Sequence, residues 1–144
     1  MVAVNSVLEE SILGFYAALQ ERNITPNISM TENKVIREVN KAALSRIFSN
    51  LINNAIKYSD GDLNITLTDS GKITFSTMAS DLSGVDVERL FDHFYTVNTA
   101  RNSTGLGLAI AKTLTEKMGG VISVGLKNEV LTVSVKIPQG IIIK

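Results

Sequence analysis

NLINNAIKYSD (Asn50–Asp60) sets an apolar helical pattern against three asparagines and a Lys-Tyr pair. Leu51, Ile52, Ala55 and Ile56, with Phe48 upstream, recur at helical spacing and would bury one face. At 100° per residue, Asn50, Asn53, Asn54 and Lys57 cluster opposite that face. Asparagine is a mediocre helix former, because its amide competes for backbone hydrogen bonds. A solvated helix face normally uses Glu and Lys, whereas this one uses uncharged amides.

Working outward, Asn40 can cap a helix over Lys41–Tyr58 that Asp60-Gly61 ends. Upstream, Ser6-Val7-Leu8-Glu9 reads as a capping box opening a helix that runs to about Arg22. Short extended segments follow near Ile24–Met30 and Val35–Val39, and Pro26 suggests an edge position. Downstream, Leu63-Ile65-Leu67 and Ile73-Phe75 alternate around Asp69-Ser70-Gly71, a hairpin signal. A short helix is expected around Val87–Phe94, then a polar stretch over Asn98–Thr104. A further helix from about Leu106 to Met118 stops at Gly119-Gly120. A second hairpin, Val121–Gly125 and Val130–Ile137, turns near Lys127-Asn128. This order predicts an α/β (α+β) two-layer sandwich, with helices on one face of a mixed, mainly antiparallel sheet.

The 144 residues suit one domain, 1–144, with a single core. With 44% hydrophobic and 19% charged residues, the composition is globular rather than disordered. The 14 basic and 14 acidic side chains cancel, which argues against a domain devoted to nucleic acid or an anionic membrane. Without cysteine there are no disulfides, and a lone histidine disfavours structural zinc. No run approaches the roughly 18 apolar residues of a membrane span, so the chain reads as a soluble domain.

A second informative stretch is STGLGLAI, Ser103–Ile110. Two glycines at a helix start, after a polar loop, present unpaired N–H groups and a partial positive charge to a phosphate. With the asparagine helix, this suggests a Mg²⁺-polyphosphate site. An amide oxygen can coordinate Mg²⁺ without adding negative charge, and an amide N–H₂ can donate to phosphate. Lys57 adds a positive charge one turn beyond Asn53, and Tyr58 offers a ring to a base.

NLINNAIKYS resembles the N box, and STGLGLAIAK the G2 box, of the catalytic ATP-binding domain of sensor histidine kinases. LFDHFYTVNTAR, between them, is similar to that family's F box and ATP lid. The resemblance covers nearly the whole chain. It implies a Bergerat-type fold with three helices on one sheet face, binding ATP with Mg²⁺. Asn54 then matches the Mg²⁺ ligand, and Asn50 a polar position near phosphates and metal. Lys57 matches a phosphate-contacting lysine and Tyr58 an aromatic beside adenine. Gly105 and Gly107, with Leu106 and Leu108, match the phosphate-holding turn at the hinge of the lid. Thr104 and Arg101 lie in the lid, with Arg101 toward the γ-phosphate, while Phe91 and Phe94 pack its root.

The family's Asp-x-Gly-x-Gly box, whose aspartate receives the adenine amino group, is altered here to FSTMASDLSGV. Counting back about fourteen residues from Phe91 reaches Thr77, a hydroxyl in place of the carboxylate. Asp81, followed by Gly84, is the alternative register. His93 lies between aromatic packing positions and is not expected to be the phosphoacceptor. The resemblance places that histidine on a separate dimerisation hairpin outside this chain, with a response regulator as indirect partner. It further implies a cytoplasmic domain of a receptor in the cell membrane, of which this chain would be an excised catalytic piece. Two alternatives stand beside the kinase: a regulatory module of the same fold with weak or no ATP binding, and another ATPase of that fold, such as an anti-sigma serine kinase.

Overall fold

The computed structural model describes residues 1–80, 82 and 107–139. In chain order the elements are β1 (Val2–Ala3), α1 (Val4–Gly14), α2 (Tyr16–Glu21), β2 (Asn27–Met30), β3 (Ile36–Arg37), α3 (Lys41–Tyr58), β4 (Asn64–Leu67), β5 (Lys72–Met78), α4 (Gly107–Lys117), β6 (Val121–Lys127) and β7 (Val130–Lys136). The helix expected around Val87–Phe94 and the polar stretch Asn98–Thr104 lie outside the described residues.

Helix α3 forms over the expected span. The Asn40 side chain accepts the Ala43 amide at 2.9 Å, satisfying one of the first-turn donors. Leu44, Ile47, Phe48, Leu51, Ile52 and Ala55 are all buried, the stripe that a 3.6-residue repeat lays along one side. The far end is stabilised from outside the helix. The Arg22 guanidinium donates to the carbonyls of Ile56 at 2.7 Å and Ser59 at 3.0 Å, placing a cation on the negative end of the helix dipole.

Five strands form one sheet in the order β2-β4-β5-β7-β6. Only β2 and β4 run parallel among these neighbours; every other pair is antiparallel. Alternation assigns the two faces. Ile65, Leu67, Ile73, Phe75, Leu131, Val133 and Val135 point into the core shared with α1, α3 and α4. Thr66, Thr74, Ser76, Thr132 and Ser134 occupy the other side, only partly buried. The Phe48 and Phe75 rings meet at 6.4 Å with a 51° tilt, joining α3 to the middle of the sheet.

Several boundaries differ from the sequence expectation. The first helix starts at Val4 under Ala3, which makes no side-chain cap, so the Ser6 capping box does not form. Instead β1 pairs with β3, and Val35 accepts the Val4 amide at 2.8 Å. A neighbouring backbone thus takes over the work of a cap. The same helix breaks at Phe15 (φ −103°, ψ 9°), after Gly14, and resumes as α2. The extended segments shrink to Asn27–Met30 and Ile36–Arg37, and β2 is an edge strand, as Pro26 implied. The last turn falls one residue later than expected, on Asn128 and Glu129 (φ 51° and 66°). That is the left-handed pair a two-residue hairpin needs.

Buried Arg37 fastens the opposite end of the sheet, its Nε donating to the Ile137 carbonyl at 2.9 Å and its Nη1 to the Ile36 carbonyl at 2.8 Å. Gly71 (φ +84°) turns under it. A Cβ there would stand 2.5 Å from Arg37 Nη2 and 2.7 Å from the Ile137 oxygen. Gly71→Ala is expected to destabilise the domain by about 2–4 kcal/mol, from left-handed strain plus displacement of that clasp. Gly125→Ala, where an added Cβ meets nothing within 4 Å, should change stability by less than about 1 kcal/mol. Urea midpoints of the two variants test this contrast.

Candidate nucleotide site

The candidate site draws on the C-terminal half of α3 and on the start of α4 and the exit of β5, elements that both pack against α3. Asn50 Nδ2 donates to the Gly107 carbonyl at 3.1 Å, tying together two motifs 57 residues apart. The N-box face and the beginning of the G2 helix are therefore neighbours, as one site requires. A Cβ at Gly107 would meet nothing within 4 Å among the described residues.

Along α3 the amides do not share one environment. Asn53 is exposed and Asn50 half-buried, but Asn54 is 7% exposed and counts with the interior. The simple picture of a polar face opposite an apolar one is corrected at this residue: Asn54 lies on the buried side of α3. Its Nδ2 has no hydrogen-bond partner. Tyr58 is also buried, with Lys57 Nζ 4.8 Å from its ring centroid. Burial pushes the Lys57 ammonium below its ordinary pKa of 10.5.

Thr77, on the core-facing side of β5, is 1% exposed and its Oγ1 has no partner. Four hydrogen bonds hold the strand exit beside it. Asp62 Oδ1 accepts the Met78 amide at 2.7 Å, and the Met78 carbonyl accepts the Asp60 amide at 2.8 Å. Asp60 Oδ2 accepts the Ser80 amide at 3.0 Å, and the Glu129 carbonyl accepts the Ala79 amide at 2.8 Å. The turn after α3 and the β6–β7 tip thus clamp the segment that carries the altered family box. Asp60, Asp62 and Arg22 were not singled out from the sequence. The only signal was the Asp60-Gly61-Asp62 composition, which reads equally well as a helix stop.

Of the expected site residues, Asn50, Asn54, Lys57, Tyr58, Thr77, Gly107 and Leu108 are described, and they come from these three elements. The Leu108 side chain is buried, so only its backbone is available to a ligand. Asp81, Arg101, Thr104, Gly105 and Leu106 lie outside the described residues, as do Phe91, His93 and Phe94. Two buried polar groups without partners, Asn54 and Thr77, would each cost about 1–3 kcal/mol as unsatisfied donors or acceptors. Their placement fits groups awaiting a ligand.

The unfolded chain holds the Lys57 proton up to the ordinary lysine range, and the folded chain releases it earlier. Over that interval the unfolded state binds more protons, so stability rises with pH. Lys57→Met should remove this rise. Denaturant midpoints of both proteins from about pH 8 to about pH 11 test the sign.

Comparisons agree with the geometry. The family model described as histidine kinase-, DNA gyrase B-, and HSP90-like ATPase matches residues 39–141. Sensor histidine kinase YcbM of Bacillus subtilis is 38% identical over 135 residues, covering 88% of this chain and 43% of that protein. Sensor protein VanSC of Enterococcus gallinarum is 33% identical over 141 residues, covering 92% of this chain and 39% of its own length. The chain therefore spans less than half the length of these curated relatives. In fold it is similar to the nucleotide-free catalytic domain of histidine kinase ThkA (TM-score 0.80, 22% identity, 95% of both chains covered). The mycobacterial sensor kinase MprB is similar in fold as well (TM-score 0.76, 21% identity, 93% of both chains). With its N-box helix tied to the G2 glycine and its matched region running from the α3 cap through the last strand, the chain belongs to the histidine kinase-, DNA gyrase B- and HSP90-like ATPase family.

Proposed function

We propose that this domain, residues 1–144, holds ATP with Mg²⁺ and presents its γ-phosphoryl group to a histidine on a separate dimerisation hairpin. A response regulator would follow as the next acceptor. The observation carrying this reading is the pair of buried, unpartnered polar groups, Asn54 Nδ2 and Thr77 Oγ1, on elements that frame one site. Both fit a nucleotide. A half-turn of the Asn54 amide presents either its N–H₂ to a phosphate or its oxygen to a divalent cation. When bound, Mg²⁺ neutralises polyphosphate charge and orients the terminal phosphoryl group.

The chain's own groups do the rest by positioning and electrostatics. Thr77 meets the 6-position of the purine. The Lys57 cation, held against Tyr58, adds positive charge beside the phosphates. At the start of α4, Gly107 and Leu108, joined by Gly105 and Leu106 through their match to the G2 motif, would offer backbone N–H donors and the positive end of a helix dipole. By their match to the family's lid, Thr104 and Arg101 would face the phosphates, with Arg101 toward the γ-phosphate. Asp81 is the alternative to Thr77 in reading the base. Asn50 keeps the α4 start in place through Gly107. None of the described helices is long and apolar enough to cross a membrane. The names of the relatives, sensor kinases, support placement as the cytoplasmic part of a membrane receptor.

Calorimetric titration with ADP and ATP, each with Mg²⁺, tests the reading. The native domain is expected to bind in the micromolar range. Asn54→Ala should weaken binding by about tenfold to a hundredfold, equivalent to losing about 1.4–2.8 kcal/mol, and should abolish the dependence on Mg²⁺. Equal affinity with and without Asn54 would remove it from the metal role. No binding at millimolar nucleotide would overturn the ATP site.

A further inference from the structure

We infer that Thr77 gives this site relaxed purine selectivity, admitting a base with a 6-oxo group as well as one with a 6-amino group. The inference rests on the proposed nucleotide site and goes beyond it by naming the class of base accepted. Thr77 has a 1% exposed side chain whose hydroxyl touches no donor or acceptor. Its place is fixed on both sides. In the ladder it stands opposite Leu131, and the next residues are held through Met78 to Asp60 and Asp62 and through Ala79 to Glu129. The side chain is β-branched and confined, so the O–H rotor is its main remaining freedom.

That rotor decides the chemistry. A hydroxyl carries one donor and two acceptor lone pairs, and it turns to suit its partner. It accepts from the amino group of adenine, and with the opposite orientation it donates to the 6-oxygen of hypoxanthine or guanine. An ionised carboxylate at the same place has acceptors only, so a 6-oxo base would meet it oxygen to oxygen. Sites built to hydrogen-bond one polar group reject the mismatched analogue by about 10⁴–10⁵, because buried groups are left unpaired. Thr77 leaves nothing unpaired with either base, so that rejection is absent at this position.

The test titrates the full chain with the Mg²⁺ complexes of ADP, IDP and GDP. IDP tests the 6-position without the 2-amino group of guanine; because its N1 also carries a proton that adenine lacks, comparison of the Thr77 variants with the native chain separates the 6-position from N1. The native protein is expected to bind ADP and IDP within about tenfold of each other. Thr77→Asn, whose amide also donates and accepts, should keep that ratio. Thr77→Val should weaken both nucleotides alike, and Thr77→Asp should favour ADP over IDP by at least about a hundredfold. Circular dichroism and a melting curve establish that each variant is folded. If Thr77→Asp does not fold, the Asn and Val variants carry the test. ADP binding with IDP rejected by more than about a hundredfold in the native chain would overturn the inference and leave the nucleotide site standing. Unchanged ADP and IDP affinity in Thr77→Val would do the same. Failure of all three nucleotides to bind would overturn the site itself.

Discussion

Helix α3 must satisfy two demands with one 18-residue surface, and the rest of the molecule is arranged around that constraint. Its apolar stripe has to lie on the sheet, where Phe48 meets Phe75. Its amides have to remain beside α4 and the exit of β5. The helix can serve both because it is held at each end by groups from elsewhere. Asn40 anchors the first turn and Arg22, from the end of α2, anchors the last. A frayed C-terminal turn would carry Lys57 and Tyr58 with it. The arginine that caps this helix therefore also sets the position of the charged end of the site.

Some stability is given up at the proposed nucleotide site, in Asn54 and Thr77, and some outside it, in Arg37 and Thr115. Among the described residues, four buried side-chain atoms lack a partner, and two of these, on Asn54 and Thr77, belong to the site. Each orphan is unfavourable by about 1–3 kcal/mol, a noticeable fraction of the 5–15 kcal/mol by which domains are stable. A molecule that supplies the missing hydrogen bonds is thereby coupled to folding: ligand binds the native state and raises its apparent stability. The clamp of Asp60 and Asp62 on the β5 exit has the complementary task. It holds the backbone of Met78 and Ser80, the residues that follow Thr77.

Much of this was legible in the residues alone. The span of α3, its asparagine cap, the two hairpins, the edge position of β2 and the glycine stop after α4 all rest on local rules, and all appear. So does the joining of the N-box helix to the described G2 glycine, through Asn50 and Gly107. What was misread depended on partners distant in sequence. Ser6 looks like a cap, but the helix begins earlier because Val35 already satisfies the Val4 amide. Asn54 looks solvated on a helical wheel, but packing in the folded domain buries it. Asp60 and Asp62 look like a stop signal, and their use as acceptors for the Met78 and Ser80 amides has no local signature.

The sequence by itself determined the element types, the sheet's buried and polar faces and the family, because periodicity, capping and motif spacing act within a few residues along the chain. Only the tertiary structure decided which polar groups are left without partners, which carboxylates hold the strand that carries Thr77, and which cation caps α3. Those outcomes depend on how segments 16 to 57 residues apart pack together. Burial and hydrogen-bond satisfaction belong to the packed whole, and no single stretch encodes them.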